Sequence, residues 1–333
     1  MSGSPPVSLV LLAYRQEAYI EAAVRSAFAQ DYDNLEIVLS DDRSPDGTFA
    51  AIERLAAGYD GPHRVVTNQT GTNGGVLAHL YDAVARASGE LLVVAAGDDL
   101  SHPDRVSVLV DEWRRTGADA LYSRYDVIDE RGAMVQRDAP LASGDYHPRR
   151  YFRGRAVHQI FGGGAAYSRQ VFDRIALPDN GHLPEDYFFS LMLALCGRRV
   201  AFVDRALVGY RAHGGSTTHG PAGQMAVVEV ERLVARSSAA AVPLLRLVEQ
   251  TAVTGKGIRP PWQPDEPIDH ARLREDIGFH LFRSRWLNSS VGERLRMILA
   301  LRTADRVRWL APRLFGLRGL IMIKRVRRLI RPS

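Results

Sequence analysis

The sequence predicts an α/β protein, a mostly parallel sheet with helices on both faces, followed by a helical C-terminal extension. Three observations carry this expectation. Apolar runs of five to seven residues recur through the first 120 positions, too short for helices and suited to strands buried on both faces. Stretches with apolar residues three and four apart separate them, as helices covering a sheet require. After Thr218 the chain changes character to segments rich in Ala, Val, Leu and Arg. With 333 residues, 46% hydrophobic and 24% charged, the chain can build one large domain with an appendage, and disordered and fibrous classes are excluded.

The elements follow in order. Val7 to Ala13 (VSLVLLA) reads as the first strand, and Glu17 to Ala29 as a helix that buries Ile20, Val24 and Phe28. Leu35 to Leu39 is a second strand, Thr48 to Ala57 a helix, Arg64 to Thr67 a third strand, Val76 to Ala87 a helix, and Leu91 to Ala95 a fourth strand. A helix from Arg105 to Thr116 leads to a strand at Ala120 to Ser123, and the polar stretch holding Gly132, Gly144 and Pro148 reads as loop and hairpin. Gly162-Gly163-Gly164 introduces a small-residue strand and a helix from Ser168 to Ile175. Another helix starts near Pro184 and runs through Leu195. Val200 to Val203 and Leu207 to Tyr210 read as two further strands, and a Pro-rich linker spans Gly255 to Pro267. The expected organisation is an α/β domain over 1–220, divided near residue 104, and a helical, basic extension over 221–333.

Charge is distributed unevenly. The overall +5 divides into a net of about +12 from Arg272 onward and about −7 before it, so an acidic body carries a basic tail. Such a block meets an anionic partner, nucleic acid or an anionic membrane surface. The single cysteine, Cys196, excludes an intramolecular disulfide, and the first thirty residues lack a secretory pattern, so the expected location is cytoplasmic. The apolar stretch around Trp309 to Ile323 is interrupted by Pro312, Arg313 and Arg318, short of the ~20 clean residues of a membrane span.

In parallel sheets ligands bind at the carboxyl ends of the strands, so the residues just past each strand are the first candidates for a site. The second strand ends in Ser40-Asp41-Asp42-Arg43-Ser44-Pro45-Asp46-Gly47-Thr48. Adjacent carboxylates repel and need partners; one could accept hydrogen bonds from a base or ribose. The alternative is an ordinary acidic turn, with Asp46 and Thr48 capping the next helix. The fourth strand ends in Gly97-Asp98-Asp99, an acid pair suited to a divalent cation, which takes hard oxygen ligands and neutralises phosphate. A third pair, Glu185-Asp186, opens a helix. Acids there complement the helix dipole with no further role, or one is a general base facing a substrate hydroxyl. His213, after a strand, is either a metal neighbour or a structural histidine. No G-x-G-x-x-G follows the first strand and no G-x-x-x-x-G-K-[ST] occurs, which excludes dinucleotide oxidoreductases and P-loop NTPases.

The order of these pieces is familiar. VSLVLLAYRQEAYIEAAVRSAFAQDYDNLEIVLSDDRSPDGT, then TNGGV, then ASGELLVVAAGDDLSHPDR, then PEDYFFSLMLALCGR and YRAHGGS resemble the nucleotide-sugar glycosyltransferases of family 2 over residues 7 to 218. The resemblance implies the Rossmann-like GT-A fold and inverting transfer of a sugar from a nucleoside diphosphate sugar (UDP, dTDP or GDP type) to a glycan or lipid-linked acceptor, assisted by Mn2+ or Mg2+. By position it assigns Asp186 as the catalytic base with Glu185 beside it. Ala13, Tyr14, Glu17, Asp42, Asn73, Gly75 and Asp98 would hold the nucleotide, with Asp42 on the base and Asp98 near ribose or phosphate. Asp99 and His213 would hold the metal. The sequence departs from the family at Gly97, where the first acid of a D-x-D motif commonly stands, at Arg43, and at His79.

The implied mechanism is a single displacement: the base deprotonates the acceptor hydroxyl while the metal stabilises the leaving diphosphate. Two rivals stand beside it. A sugar nucleotidyltransferase needs a Gly-rich loop with Arg and Lys, whereas this chain has Leu11-Leu12-Ala13-Tyr14 there and no lysine before Lys256. A non-catalytic nucleotide-sugar or nucleic-acid binder would need aromatic stacking groups, and Trp286 and Trp309 are too few. Nucleic acid is therefore not an expected partner. An anionic membrane surface, with the protein peripheral on its inner face, is the partner expected of the tail.

Overall fold

A computed structural model describes residues 3–139, 160–179, 183–213, 227–263, 270–285, 289, 290 and 293. The body is one nine-stranded sheet. Its strands are β1 (Val7–Ala13), β2 (Leu35–Asp41), β3 (Arg64–Gln69), β4 (Leu91–Ala96), β5 (Leu100–Ser101), β6 (Ala120–Ile128), β7 (Met134–Gln136), β8 (Ala165–Ser168) and β9 (Val200–Arg211), in the order β3-β2-β1-β4-β8-β6-β9-β5 with β7 beside β6. β1 pairs in parallel with β2 and β4, β2 with β3, and β6 with β9; β8 runs antiparallel to both β4 and β6. The sheet is thus mixed but mostly parallel, as the sequence predicts.

Helices cover both faces. Alternate residues of β1, β2 and β4 (Leu9 and Leu11, Ile37 and Leu39, Val93 and Ala95) form one core with α1 (Ile20–Phe28), α2 (Thr48–Ala57) and α4 (Arg105–Thr116). The period of two sends Val10, Leu12, Val38 and Val94 to the other face, where α3 (Val76–Arg86) packs on β1 and β2. The remaining helices are α5 (Arg169–Arg174), α6 (Glu185–Leu195), α7 (Val227–Thr254) and α8 (His270–Arg285). In α6 every residue from Phe188 to Leu195 is buried, so this helix reads as a continuous apolar run and not as an amphipathic one.

The chain forms two units. One comprises Met1–His219 with Leu247–His270, the other Gly220–Arg246 with Ala271–Ser333. In the first unit the segment after α7 is tied to the body: Arg259 N–H donates to the Arg174 carbonyl at 2.7 Å, and the Arg198 guanidinium lies 4.4 Å from the Trp262 ring centroid. In the second unit Leu273 and Ile277, one turn apart on α8, are buried. Among the described residues no helix is long and apolar enough to cross a membrane.

Three sequence expectations change. Val200 to Val203 and Leu207 to Tyr210 are one strand, β9, whose pairing with β6 slips between Ser123 and Tyr125. The extra residues, including Asp204 and Arg205, form a bulge that interrupts the apolar run and imitates a loop. β6 continues past Ser123 to Ile128 because its polar half is still paired along β9. β5, two residues long, carries too little pattern to be seen in advance. The hairpin around Gly132 forms as β6–β7; Gly144 and Pro148 lie outside the described residues, as do the tail residues from 294 onward.

Candidate functional site

The first half of the site is a clamp at the end of β2. Asp42 is buried, 3% exposed, and its carboxylate accepts hydrogen bonds from Gly74 N–H (3.0 Å), Gly75 N–H (2.9 Å) and the Thr70 hydroxyl (3.1 Å). Asn73 adds a bond from its side-chain amide to the Asp42 carbonyl. The carboxylate therefore sits on the N-terminal end of α3, where backbone donors and the helix dipole favour negative charge. Gly75 precedes the helix at φ 77°, a conformation that side-chain-bearing residues adopt at a cost. Asp41 does different work: it accepts from Ser44 N–H, the Ser44 hydroxyl and the Gln69 amide, closing its own turn. Asp46 takes the Thr48 N–H and hydroxyl at the start of α2, the capping role open in the sequence.

Beneath the clamp, the His79 ring bonds the Ser40 hydroxyl at 2.8 Å, and Asn68 bridges Ser40 to Asp82. Burial holds this imidazole below its ordinary pKa, against the opposing pull of Asp42, Asp41 and Asp82. Ala13 is buried at the end of β1, whereas Tyr14 is 42% exposed beside it. The Arg15 N–H donates to Ser44 and the Gln16 N–H to Thr48, which fixes the β1–α1 loop against the β2–α2 loop. Glu17 is not brought to the others; it is exposed and lies over Gly47.

The second half lies at the end of β4. A Cβ on Gly97 would meet the end of the Gln16 side chain and stand 3.0 Å from Ala13 Cβ, a tight fit for a larger residue. Asp99 is buried and accepts the Arg211 N–H at 2.8 Å. Burial, then the neighbouring Asp98 charge, pushes its carboxyl up to about 8, partly offset by Arg211 and Arg105. Asp98 is the more open of the two, and its Oδ2 stands 3.1 Å from His213 Nε2. His213 therefore lies against Asp98, next to Asp99.

That pair fits a divalent cation. Carboxylate oxygen suits Mn2+ or Mg2+, and the imidazole nitrogen favours the transition ion Mn2+ of the two; two donors about 3 Å apart match neighbouring ligands on an ion with bonds near 2.1 Å. Among the described residues no group of three or more His, Cys, Asp or Glu converges to enclose an ion.

The two halves meet a common turn. In the turn Gly162–Gly164, a Cβ on Gly163 would stand 3.1 Å from Asp99 Oδ2, while one on Gly162 would overlap Glu185 Oε1 and stand 3.3 Å from Asp186 Cβ. Carboxylates approach the turn closely at both glycines. Burial, then the Asp186 charge, pushes the Glu185 carboxyl up to about 8. Glu185 therefore holds its proton to higher pH than an ordinary glutamate. The Asp186 Oδ1 also accepts the Tyr187 N–H at 2.7 Å. Sequence reasoning missed this turn's role, and it missed Arg105, buried beside Asp99, whose guanidinium donates to the Val94 and Gly163 carbonyls. An arginine in the first turn of a helix just after an acid pair was the available signal.

The family described as "Glycosyl transferase family 2" matches residues 8–176. The chain is 33% identical over 146 residues to the putative glycosyltransferase EpsE of Bacillus subtilis, covering 42% of this chain and 51% of that protein. It is 26% identical over 220 residues to the putative glycosyltransferase EpsH of the same organism, covering 63% and 62%. The chain thus spans about half to three fifths of the length of these relatives. Among solved structures it resembles S. aureus TarS 1–349 in complex with UDP-GlcNAc (TM-score 0.57, 19% identity, 89% of this chain and 79% of that one). It also resembles the mannosyltransferase PcManGT of Pyrobaculum calidifontis in complex with GDP-Man and Mn2+ (TM-score 0.56, 18% identity, 97% and 86%).

Proposed function

The chain belongs to glycosyl transferase family 2, and on that premise we propose that it is an inverting, metal-dependent glycosyltransferase that moves a sugar from a nucleoside diphosphate sugar to an acceptor hydroxyl. The observation that carries the proposal is the meeting of two acid pairs, Asp98-Asp99 and Glu185-Asp186, at consecutive glycines of one turn. A donor whose diphosphate lies at the first pair would present its anomeric carbon to the second. The solved neighbours' complexes with UDP-GlcNAc and with GDP-Man and Mn2+ support a nucleotide sugar as donor.

In this reading Ala13, Tyr14 and the Asp42–Gly75 clamp line the base end of the cleft, with Asn73 at its border. Asp98 and His213 form the open edge of the cation site, with the Asp99 carboxylate behind them. A bound divalent cation would supply electrostatic stabilisation of the departing diphosphate. Asp186 takes the acceptor proton as the acceptor oxygen bonds the anomeric carbon from the side opposite the phosphate. The bond from that carbon to the diphosphate oxygen breaks, and the nucleoside diphosphate leaves with the electron pair. Glu185, whose buried carboxyl resists ionisation, lies beside it. Holding donor and acceptor together removes part of the entropic barrier.

The proposed domain arrangement is a catalytic domain over 1–220 and a basic extension over 221–333. The proposed setting is cytoplasmic synthesis of a bacterial cell-surface or lipid-linked glycan, supported by a net of about +12 from Arg272 onward, which suits an acceptor at an anionic membrane surface. The test is Asp186→Asn, nearly isosteric and unable to accept the proton. Turnover should fall about 10²-fold or more with donor affinity nearly unchanged, and the wild-type product should carry the anomeric configuration opposite to the donor's. Full activity in Asp186→Asn with loss in Glu185→Gln would reverse the two roles, and retained configuration would refute the single displacement.

A further inference from the structure

Two side chains outside the acid pairs converge on Asp98 and His213. Arg211, the last residue of β9, is buried. Its guanidinium donates through Nε to the Asp98 carbonyl at 2.7 Å and through Nη1 to the Asp129 and Glu130 carbonyls at 3.0 and 2.9 Å. One planar fork thus joins the acid turn after β4 to the turn between β6 and β7, and its rigidity fixes the direction in which the Asp98 backbone faces. Arg211 Cζ lies 5.0 Å from the Tyr19 ring centroid, within cation–π range. The same Tyr19 ring stands 4.8 Å from the His213 imidazole. A single aromatic ring therefore touches both the cation that holds the Asp98 carbonyl and the imidazole that faces the Asp98 carboxylate. His213 lies two residues beyond the end of β9, and its imidazole bonds the Asp98 carboxylate.

We propose that Tyr19 and Arg211 are positioning residues that hold Asp98 and His213 at the separation at which the two can share one divalent cation. The inference rests on the reading of that edge given above and deepens it. Outer partners of this kind orient ligands, and their loss typically weakens a metal site ~10–100-fold.

The experiment measures two affinities on the full chain: Mn2+ alone, by electron paramagnetic resonance of the free ion, and UDP, dTDP or GDP in chelator, by calorimetry. Tyr19→Leu and Arg211→Lys should each raise the Mn2+ dissociation constant about tenfold or more, with chelator-phase nucleotide affinity unchanged within about twofold. Tyr19→Phe, which keeps the ring, should recover the Mn2+ affinity that Tyr19→Leu loses. Lysine keeps the charge and loses the fork, so wild-type Mn2+ affinity in Arg211→Lys would mean that charge alone matters and would overturn the proposal. A parallel loss of both affinities and of melting temperature would overturn it too, as the mark of general packing. If Arg211→Lys does not fold, Tyr19→Leu decides by the same two readings. A wild-type chain that binds neither Mn2+ nor any nucleoside diphosphate would refute the functional reading itself, a result distinct from either.

Discussion

Asp42→Asn keeps the side-chain shape while removing one of two carboxylate acceptors from a place where three protein donors converge. Oδ1 takes the Gly74 N–H and the Thr70 hydroxyl, and Oδ2 takes the Gly75 N–H. An amide must turn its NH2 toward one set or the other, so at least one bond is lost and a donor is set against a donor. A hydrogen bond to a charged group contributes about 1.5–3 kcal/mol, which is a roughly 10- to 150-fold shift in the equilibrium of the 70–75 loop. The proposed contact of Asp42 with the base loses a charged acceptor as well, at the same cost of about 1.5–3 kcal/mol. Calorimetry of nucleoside diphosphate binding should therefore show a dissociation constant raised about tenfold or more. The melting temperature should fall by about 2–4 °C per kcal/mol lost. A folded variant with wild-type affinity would refute both the clamp and the proposed contact of Asp42 with the base.

Two further outcomes can be measured on the same protein. Glu185 is held at about 8 against an ordinary 4.5, so the folded state keeps a proton that the unfolded chain loses; its contribution to stability is full below pH 4.5 and disappears as pH rises through 8. The cation-free wild type should melt progressively lower from pH 5 to pH 8 and Glu185→Gln should show a shallower slope, whereas parallel slopes would place the titration elsewhere. For the tail, sedimentation with vesicles should show binding to anionic and not to neutral lipid at low salt, weakened by truncation after Asp305, since each basic residue near such a surface adds about 1 kcal/mol; equal binding to both lipids, or to neither, would remove the membrane-surface role.

The parallel half of the sheet was legible because β1, β2 and β4 are buried on both faces and so contain few polar residues to blur the pattern. β6 and β9 were truncated or divided for the opposite reason: Arg124, Asp204 and Arg205 carry charge inside paired strands, at a bulge where alternation fails. At the site, the acid pairs were visible because adjacent carboxylates at strand ends demand partners, but the identity of those partners was not. Asp42 finds them 28 to 33 residues away, in the 70–75 loop, and the Glu185 carboxyl meets the backbone at Gly162. Such contacts belong to tertiary approach and leave no local signature. The same holds for Glu36, buried in β2 and satisfied by Ser8, Arg64 and Ser88. Its burial would count against a strand in any reading confined to local pattern.

The most direct measurement is binding of a panel of UDP-, dTDP- and GDP-sugars to the full chain in the presence of Mn2+, read by thermal shift, with nucleoside triphosphates as controls. A ligand that binds the folded state raises the melting temperature by mass action, by about 2.7 kcal/mol of added stability at a hundredfold excess over its dissociation constant. The account predicts a shift with at least one nucleoside diphosphate sugar, diminished by Asp42→Asn at the base end and by removal of the cation at the other. A shift with triphosphates alone, or with none of the panel, would contradict it.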